Sequence, residues 1–183
     1  MASRWRLRSD GAAWSGFNSA VWPVTTADGE PLALKVSVPH PGAEAEPLAL
    51  RAWAGKGAVR LYEHDKVDRA MLLQRLNGDH TLQDLPEIDE ACTVIGTILA
   101  TLDAAPVPPE VPKLEAEVQR ITESIDSNRA THPFVLTASV AGGALATLRE
   151  LVQDLRARAQ RGLVHGDGHF LNVLHTLPGH APQ

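Results

Sequence analysis

Hydrophobic and polar positions change their rhythm along the chain. In the first third they come in short alternating runs, and Trp5 to Arg8, Ala20 to Thr26 and Pro31 to Val38 each read as a strand. Ser9-Asp10-Gly11 offers a turn after the first run. Ala27-Asp28-Gly29-Glu30 separates the other two, and Asp-Gly there predicts a hairpin, because glycine tolerates the positive φ of a tight turn. Pro39, Pro41 and Gly42 break the chain. The period then lengthens over Ala43 to Ala54, where Leu48 and Trp53 sit among good helix formers, Leu50 lies off the main stripe, and Gly55 and Gly57 close the segment. Val59 to Tyr62 and Ala70 to Leu76 predict two more strands around a polar turn at Glu63 to Asp68, and Asn77-Gly78-Asp79 reads as a hinge.

After that hinge the pattern is helical. Ile88, Ala91, Ile95, Ile98, Leu99 and Leu102 recur at three- and four-residue steps, which is one face of an amphipathic helix. A proline-rich connector from Pro106 to Pro112 ends it. Leu114, Val118, Ile121 and Ile125 mark a second helix. A third region runs from about Pro133 to Arg161, with Leu145, Leu148, Val152 and Leu155 inward, an interruption expected at Gly142-Gly143 and a C-cap at Gly162. The chain therefore divides into a β-rich lobe over 1–76 and a helical lobe over 77–183. That is an α+β arrangement with a cleft expected between lobes, where ligands prefer to bind.

Composition narrows the function classes. Seventeen Lys and Arg stand against 22 Asp and Glu, a net charge of −5, which supplies no basic face for DNA or RNA. Eight aromatics (four Trp, three Phe, one Tyr) leave little for a base-stacking platform. A hydrophobic share of 44% fits an ordinary globular domain and not a disordered tail. The single cysteine, Cys92, cannot form an internal disulfide; it reads as a small core residue in a reducing, cytoplasmic setting. The N-terminal residues carry no apolar signal run, and no stretch is long enough to span a bilayer.

Chemistry concentrates between Gly162 and Leu174, where His165, Asp167, His169 and Asn172 fall close together. Asp167 and Asn172 have the spacing of the protein-kinase catalytic loop, H-R-D-x-x-x-x-N. Phosphoryl transfer uses that pair for physical reasons: the aspartate orients the acceptor hydroxyl and takes its proton, and the asparagine carbonyl helps hold Mg²⁺ on the phosphates of ATP. Upstream, Lys35 lies on the apolar strand Leu32-Ala33-Leu34-Lys35-Val36 and needs something negative, which an ATP phosphate provides. Glu46, in the small lobe's helix, is placed to pair with it. Ser15, Gly16, Asn18 and Ser19 join two strands as a small-residue loop that could admit phosphate oxygens, and the stretch containing Gln74 and Leu76 is expected to line the adenine pocket. Two other readings weigh less. His165-x-Asp167-x-His169 suggests a metallohydrolase but lacks further ligands, and Ser15-Gly16 lacks the Lys-Ser/Thr ending of a Walker P-loop.

The combination resembles the aminoglycoside and hydroxyurea phosphotransferases. The similar stretches are Trp5 to Arg8, Ser15-Gly16-x-Asn18-Ser19, Leu34 to Ser37, Glu46 to Arg51, Gly57 to Leu61, Leu72-Leu73-x-Arg75-Leu76 and His165-Gly166-Asp167-x-His169-x-x-Asn172, in family order and over nearly the whole chain. The resemblance implies a two-lobed, protein-kinase-like fold and ATP-dependent phosphorylation of a hydroxyl on a small aminoglycoside-like antibiotic, while the composition speaks against a nucleic acid or membrane partner. It implies Asp167 as catalytic base, Asn172 as magnesium ligand, and Lys35, positioned by Glu46, on the ATP phosphates. Two departures stand out. Gly168, Phe170 and Leu171 replace what is usually an apolar side chain and then a pair with glycine second. Residues 173–183 contain no Asp or Glu, so the second metal-binding aspartate of such enzymes is missing and the chain reads as C-terminally truncated. The alternative is thus a remnant that binds nucleotide or a partner without transferring phosphate.

Overall fold

A computed structural model of the chain describes residues 4–40, 42–131, 137–157 and 162–177. Among them the architecture is α+β, an antiparallel sheet with four α-helices. The chain forms two compact units, Met1–Pro108 together with Gly162–Gln183, and Pro109–Arg161.

The first unit is built on a six-stranded sheet. β3 (Ser19–Thr25) and β4 (Pro31–Ser37) pair along their whole length. Their turn closes as the Asp-Gly signal requires: Gly29 takes φ +84°, and Thr26 N–H donates to the Glu30 carbonyl at 3.0 Å. β6 (Ala70–Gln74) lies against β4, and β5 (Leu61–Asp65) is the outer strand beyond it. On the other side β1 (Arg8–Ser9) and β2 (Trp14–Ser15) both pair with β3. The first run is mostly not strand. Residues 4–6 turn, with Arg6 at φ +52°, and pairing starts only at Arg8.

One face of the sheet carries the core: Val24, Leu32, Leu34, Ala70 and Leu72, covered by Trp5, Leu7, Trp22 and Val36. Because alternate residues face opposite sides, the other face carries Val21, Lys35 and Met71 in one cross-strand row. Helix α1 (Gly42–Trp53) buries Ala43, Pro47, Ala49, Leu50 and Trp53, so Leu50 lies on the stripe and not beside it. Ala54 and Gly55 both adopt positive φ and end the helix.

β5 runs three residues beyond the strand expected at Val59 to Tyr62, because Asp65 and not Glu63 starts the turn. Its Oδ1 accepts from the N–H groups of Val67 (2.9 Å) and Asp68 (3.1 Å), and its Oδ2 pairs with Arg4. The Asp68 and Val67 hydrogen bonds, with the Arg4 charge, outweigh desolvation and hold the Asp65 carboxyl below its usual 3.8. Burial, with Arg51 nearby, lowers the neighbouring His64 below 6.5. Both shifts have the same consequence in acid. The unfolded chain takes up a proton at His64 first, so stability starts to fall as pH drops below 6.5; the Asp65 contribution, intact above 3.8, is lost as pH falls through its lower folded value. Melting temperature measured against pH is expected to fall in those two stages, with His64→Gln removing the upper one and Asp65→Asn the lower.

Asn77-Gly78-Asp79, the stretch expected as a hinge, is strand. It lies inside β7 (Leu76–Thr81), which pairs with β8 (Leu174–Thr176) in a second, two-stranded sheet. Helix α2 (Ile88–Asp103) buries Ala91 and Leu102. Cys92, one step round from Ala91, is exposed and no core residue.

The second unit is a helix pair, α3 (Leu114–Thr131) and α4 (Ala138–Ala157). Ala141 is buried, and Val118, Ile121, Ile125, Leu145, Leu148 and Val152 are half-buried. Gly142-Gly143 does not interrupt α4. The expected inward side chain of Leu155 and the helix end before Gly162 lie outside the described residues.

Candidate active site

Lys35 stands mid-strand on β4, opposite Val21 on one side and Met71 on the other. Apolar neighbours leave its ammonium one short-range partner, supplied by α1: Nζ lies 2.6 Å from Glu46 Oε1, with the two side chains 22% and 29% exposed. An ion pair this sheltered keeps both long side chains in fixed rotamers, which exposed pairs do not. The loop before it is a tight turn. Gly16 N–H donates to the Ser19 carbonyl at 2.8 Å, and the Asn18 carbonyl accepts from Val38 N–H at 2.9 Å. Ser15, Gly16 and Asn18 are exposed and Ser19 half-buried, while Phe17 stands fully in solvent at the tip. The Gly16 amide is therefore committed to the turn.

A cavity of about 440 Å³ opens beside this sheet, a size suited to a small molecule. Trp14 and Pro23, both on the Lys35 face by register, form one wall; Arg75, Leu76 and Leu177 form another. Arg75 pairs with Asp10 at its rim. The Trp14 ring lies so close to Gly78 that a Cβ there would sit 3.2 Å from it, so glycine in β7 sets the width of this end. Leu76 lines this cavity. Gln74 does not: it aligns with Leu32 on the core face, its amide oxygen accepts from Arg60 N–H at 3.2 Å, and its own N–H donates back to the Arg60 carbonyl. Arg75 belongs to the stretch that the sequence marks as pocket-lining; nothing in the spacing of Asp10 and Trp14 signals the cavity.

The loop that follows Gly162 returns to this same unit. Leu163 is buried, Gly166 takes φ +77°, and a single turn over Phe170–Asn172 leads into β8. Asn172 Nδ2 donates to the Asp167 backbone carbonyl at 2.9 Å and to Asp167 Oδ2 at 3.0 Å. The five-residue spacing thus closes on itself, leaving the Asn172 carbonyl oxygen as the atom suited to a cation. The Asp167 carboxylate is 77% exposed, with His169 Nε2 at 3.7 Å. β8 ties the loop to β7, where the cavity-lining Leu76 aligns with Thr176. At Gly168 a Cβ would meet Leu99 Cδ2 at 3.0 Å, so the loop runs close against α2.

The donor set suits one cation better than another. Among the described residues no three His, Cys, Asp or Glu side chains converge as a metal-holding group, and the His165 ring is stacked on Trp53. Zinc needs such a group. Magnesium takes one or two protein oxygens and completes its shell with phosphates and water, a demand that the Asn172 amide oxygen can meet.

Residues 4–178 match the family described as aminoglycoside/hydroxyurea antibiotic resistance kinase. The chain belongs to this family. Relatives include a streptomycin 6-kinase of Streptomyces griseus, 37% identical over 93% of this chain and 54% of its own length, and one of Streptomyces glaucescens, 32% identical over 95% and 55%. A hydroxyurea phosphotransferase of Kitasatospora aureofaciens is 36% identical over 93% of this chain and 50% of its own. The chain spans about half the length of these curated relatives. In this kinase family chain, no helix among the described residues is long and apolar enough to cross a membrane.

Proposed function

We propose that the chain carries the nucleotide-binding lobe (1–76) and the catalytic loop of an ATP-dependent O-phosphotransferase acting on an aminoglycoside-like antibiotic hydroxyl. The observation that carries this reading is the sheltered Lys35–Glu46 pair, on the sheet face that also walls the cavity. A half-buried lysine held by a carboxylate is a fixed positive charge ready for phosphate oxygens. ATP with Mg²⁺, met by Lys35 and by Asn172, supplies the transferable γ-phosphate. The chain's own residues do the rest. Lys35 offsets negative charge, and the cavity beside Leu76 and Trp14 offers a ring system a place to lie. The exposed Asp167 carboxylate orients a substrate hydroxyl and takes up its proton, while Asn172 holds that carboxylate in place. Positioning and charge neutralisation account for most of such catalysis. A cytoplasmic setting, where ATP is available, goes with this reading.

Thermal melting with and without Mg-ATP tests the nucleotide half. At a hundredfold over its dissociation constant, a ligand that binds only the folded state adds about 2.7 kcal/mol, or about 5–10 °C for a chain of this size. The shift is expected in the wild type and lost in Lys35→Ala. A cooperative melt with no shift refutes nucleotide binding by this chain.

A further inference from the structure

Helix α1 has a second handle on the site besides Glu46. Trp53 lies seven positions on, two turns later on the same helix face. It is buried at 6% exposure, and its Nε1 donates to the Leu102 carbonyl at 3.1 Å, at the end of α2. Its ring stacks on His165, with centroids 5.7 Å apart and planes within 20°. His165 precedes Asp167 by only two residues and is otherwise exposed, so the indole is the broad surface that receives it. The flanks of the loop rest on the same support, with Leu163 buried and Gly168 close against Leu99 of α2.

We propose that Trp53 is a positioning residue, holding the loop that carries Asp167 to the helix that carries Glu46. The functional consequence rests on the kinase reading above; the contact itself does not. The geometry explains why tryptophan serves. The N–H pins the ring to α2, and the flat face then presents an aligned surface to the imidazole. Phenylalanine keeps the stack without the N–H bond, and leucine keeps neither. Because α1 grips Lys35 at one turn and the catalytic loop two turns later, one rigid element sets the placement of both halves of the site.

Amide hydrogen exchange in the full 183-residue chain tests the contact without any need for activity. Trp53→Leu and His165→Ala are each expected to speed exchange across residues 163–172 about tenfold, with β4 and β6 unchanged and Trp53→Phe within about threefold of wild type. The double variant should exchange no faster than either single one, since both remove the same contact. His165→Ala alters an exposed side chain, so it decides the matter even if Trp53→Leu fails to fold. Exchange within about twofold of wild type in His165→Ala, or additive effects in the double variant, overturns the proposal. Where phosphate transfer is measurable, kcat should fall at least about tenfold in Trp53→Leu with the KM for Mg-ATP held within about twofold, and recover in Trp53→Phe. Equal loss through KM alone also overturns it. Absence of any transfer in the wild type counts against the kinase reading, while the exchange result still decides the contact.

Discussion

Asp167→Asn is expected to lower phosphate transfer to an aminoglycoside hydroxyl by about 10²–10⁴-fold, the range for removing a positioned general base. The substitution is chosen because it leaves the local structure in place. Asn172 Nδ2 keeps its 2.9 Å bond to the backbone carbonyl of residue 167, and the amide oxygen of the new side chain can accept where Oδ2 did. What disappears is the charge and the capacity to take a proton. With the side chain 77% exposed, nothing in the core depends on it, and the melting temperature should stay within about 2 °C. Labelled ATP, Mg²⁺ and streptomycin, with product separated from nucleotide, provide the assay. Transfer within threefold of wild type by the variant removes Asp167 from the role of base. Asn172→Ala is the useful contrast, because it also releases the carboxylate from its tether and should cost both transfer and loop order.

Those two residues were legible in the sequence because their pairing is local. Asp167 and Asn172 are five apart, and a single turn over Phe170–Asn172 brings them together. The Lys35–Glu46 pair was legible for a related reason: eleven residues take the chain from mid-strand, round a Pro-Gly break, into the first half of α1, with little room to go elsewhere. The β3–β4 hairpin declared itself through Asp28-Gly29, whose positive φ is a backbone requirement that few other residues meet.

What escaped the sequence is long-range. Leu76 to Thr81 carries Asn, Gly, Asp and His, with no alternation to suggest a strand; it becomes one because β8 arrives from nearly a hundred residues downstream to pair with it. The cavity assembles from three separate stretches, around Trp14, Arg75 and Leu177, and no local pattern registers that meeting. Trp53 shows the same limit, with Leu102 forty-nine residues away and His165 further still. Gly142-Gly143 failed as a breaker for an energetic reason. Two glycines cost a helix about 2 kcal/mol relative to alanine, which a twenty-residue helix packed along α3 can absorb. Cys92 misses the core by one position on the helical wheel: the stripe runs through Ala91, and a 100° step turns its neighbour to solvent.

Both faces of the sheet bear on stability, but on the proposed reading only the Lys35 face bears on binding, and a pair of adjacent residues tests that difference. Leu72→Ala removes a side chain from the centre of the core, where it lies beside Leu34 across the β4–β6 ladder and among Val24, Leu32 and Ala70. Such a deletion costs about 2–5 kcal/mol, transfer and cavity terms together. Met71, also buried, points the other way and stands opposite Lys35. Met71→Ala should cost a comparable amount, but it also loosens the flank of the lysine. Urea unfolding followed by tryptophan fluorescence reads the correct unit, since Trp5, Trp14, Trp22 and Trp53 all lie within Met1–Pro108. The expected result is a lower midpoint in both variants at unchanged m-value. Under native conditions Leu72→Ala should bind Mg-ATP as the wild type does, because its vacancy opens on the far side of the sheet from Lys35 and the cavity wall. Met71→Ala should bind it more weakly. Equal weakening in both would mean that the sheet transmits core strain to the site, and that the two faces are not independent.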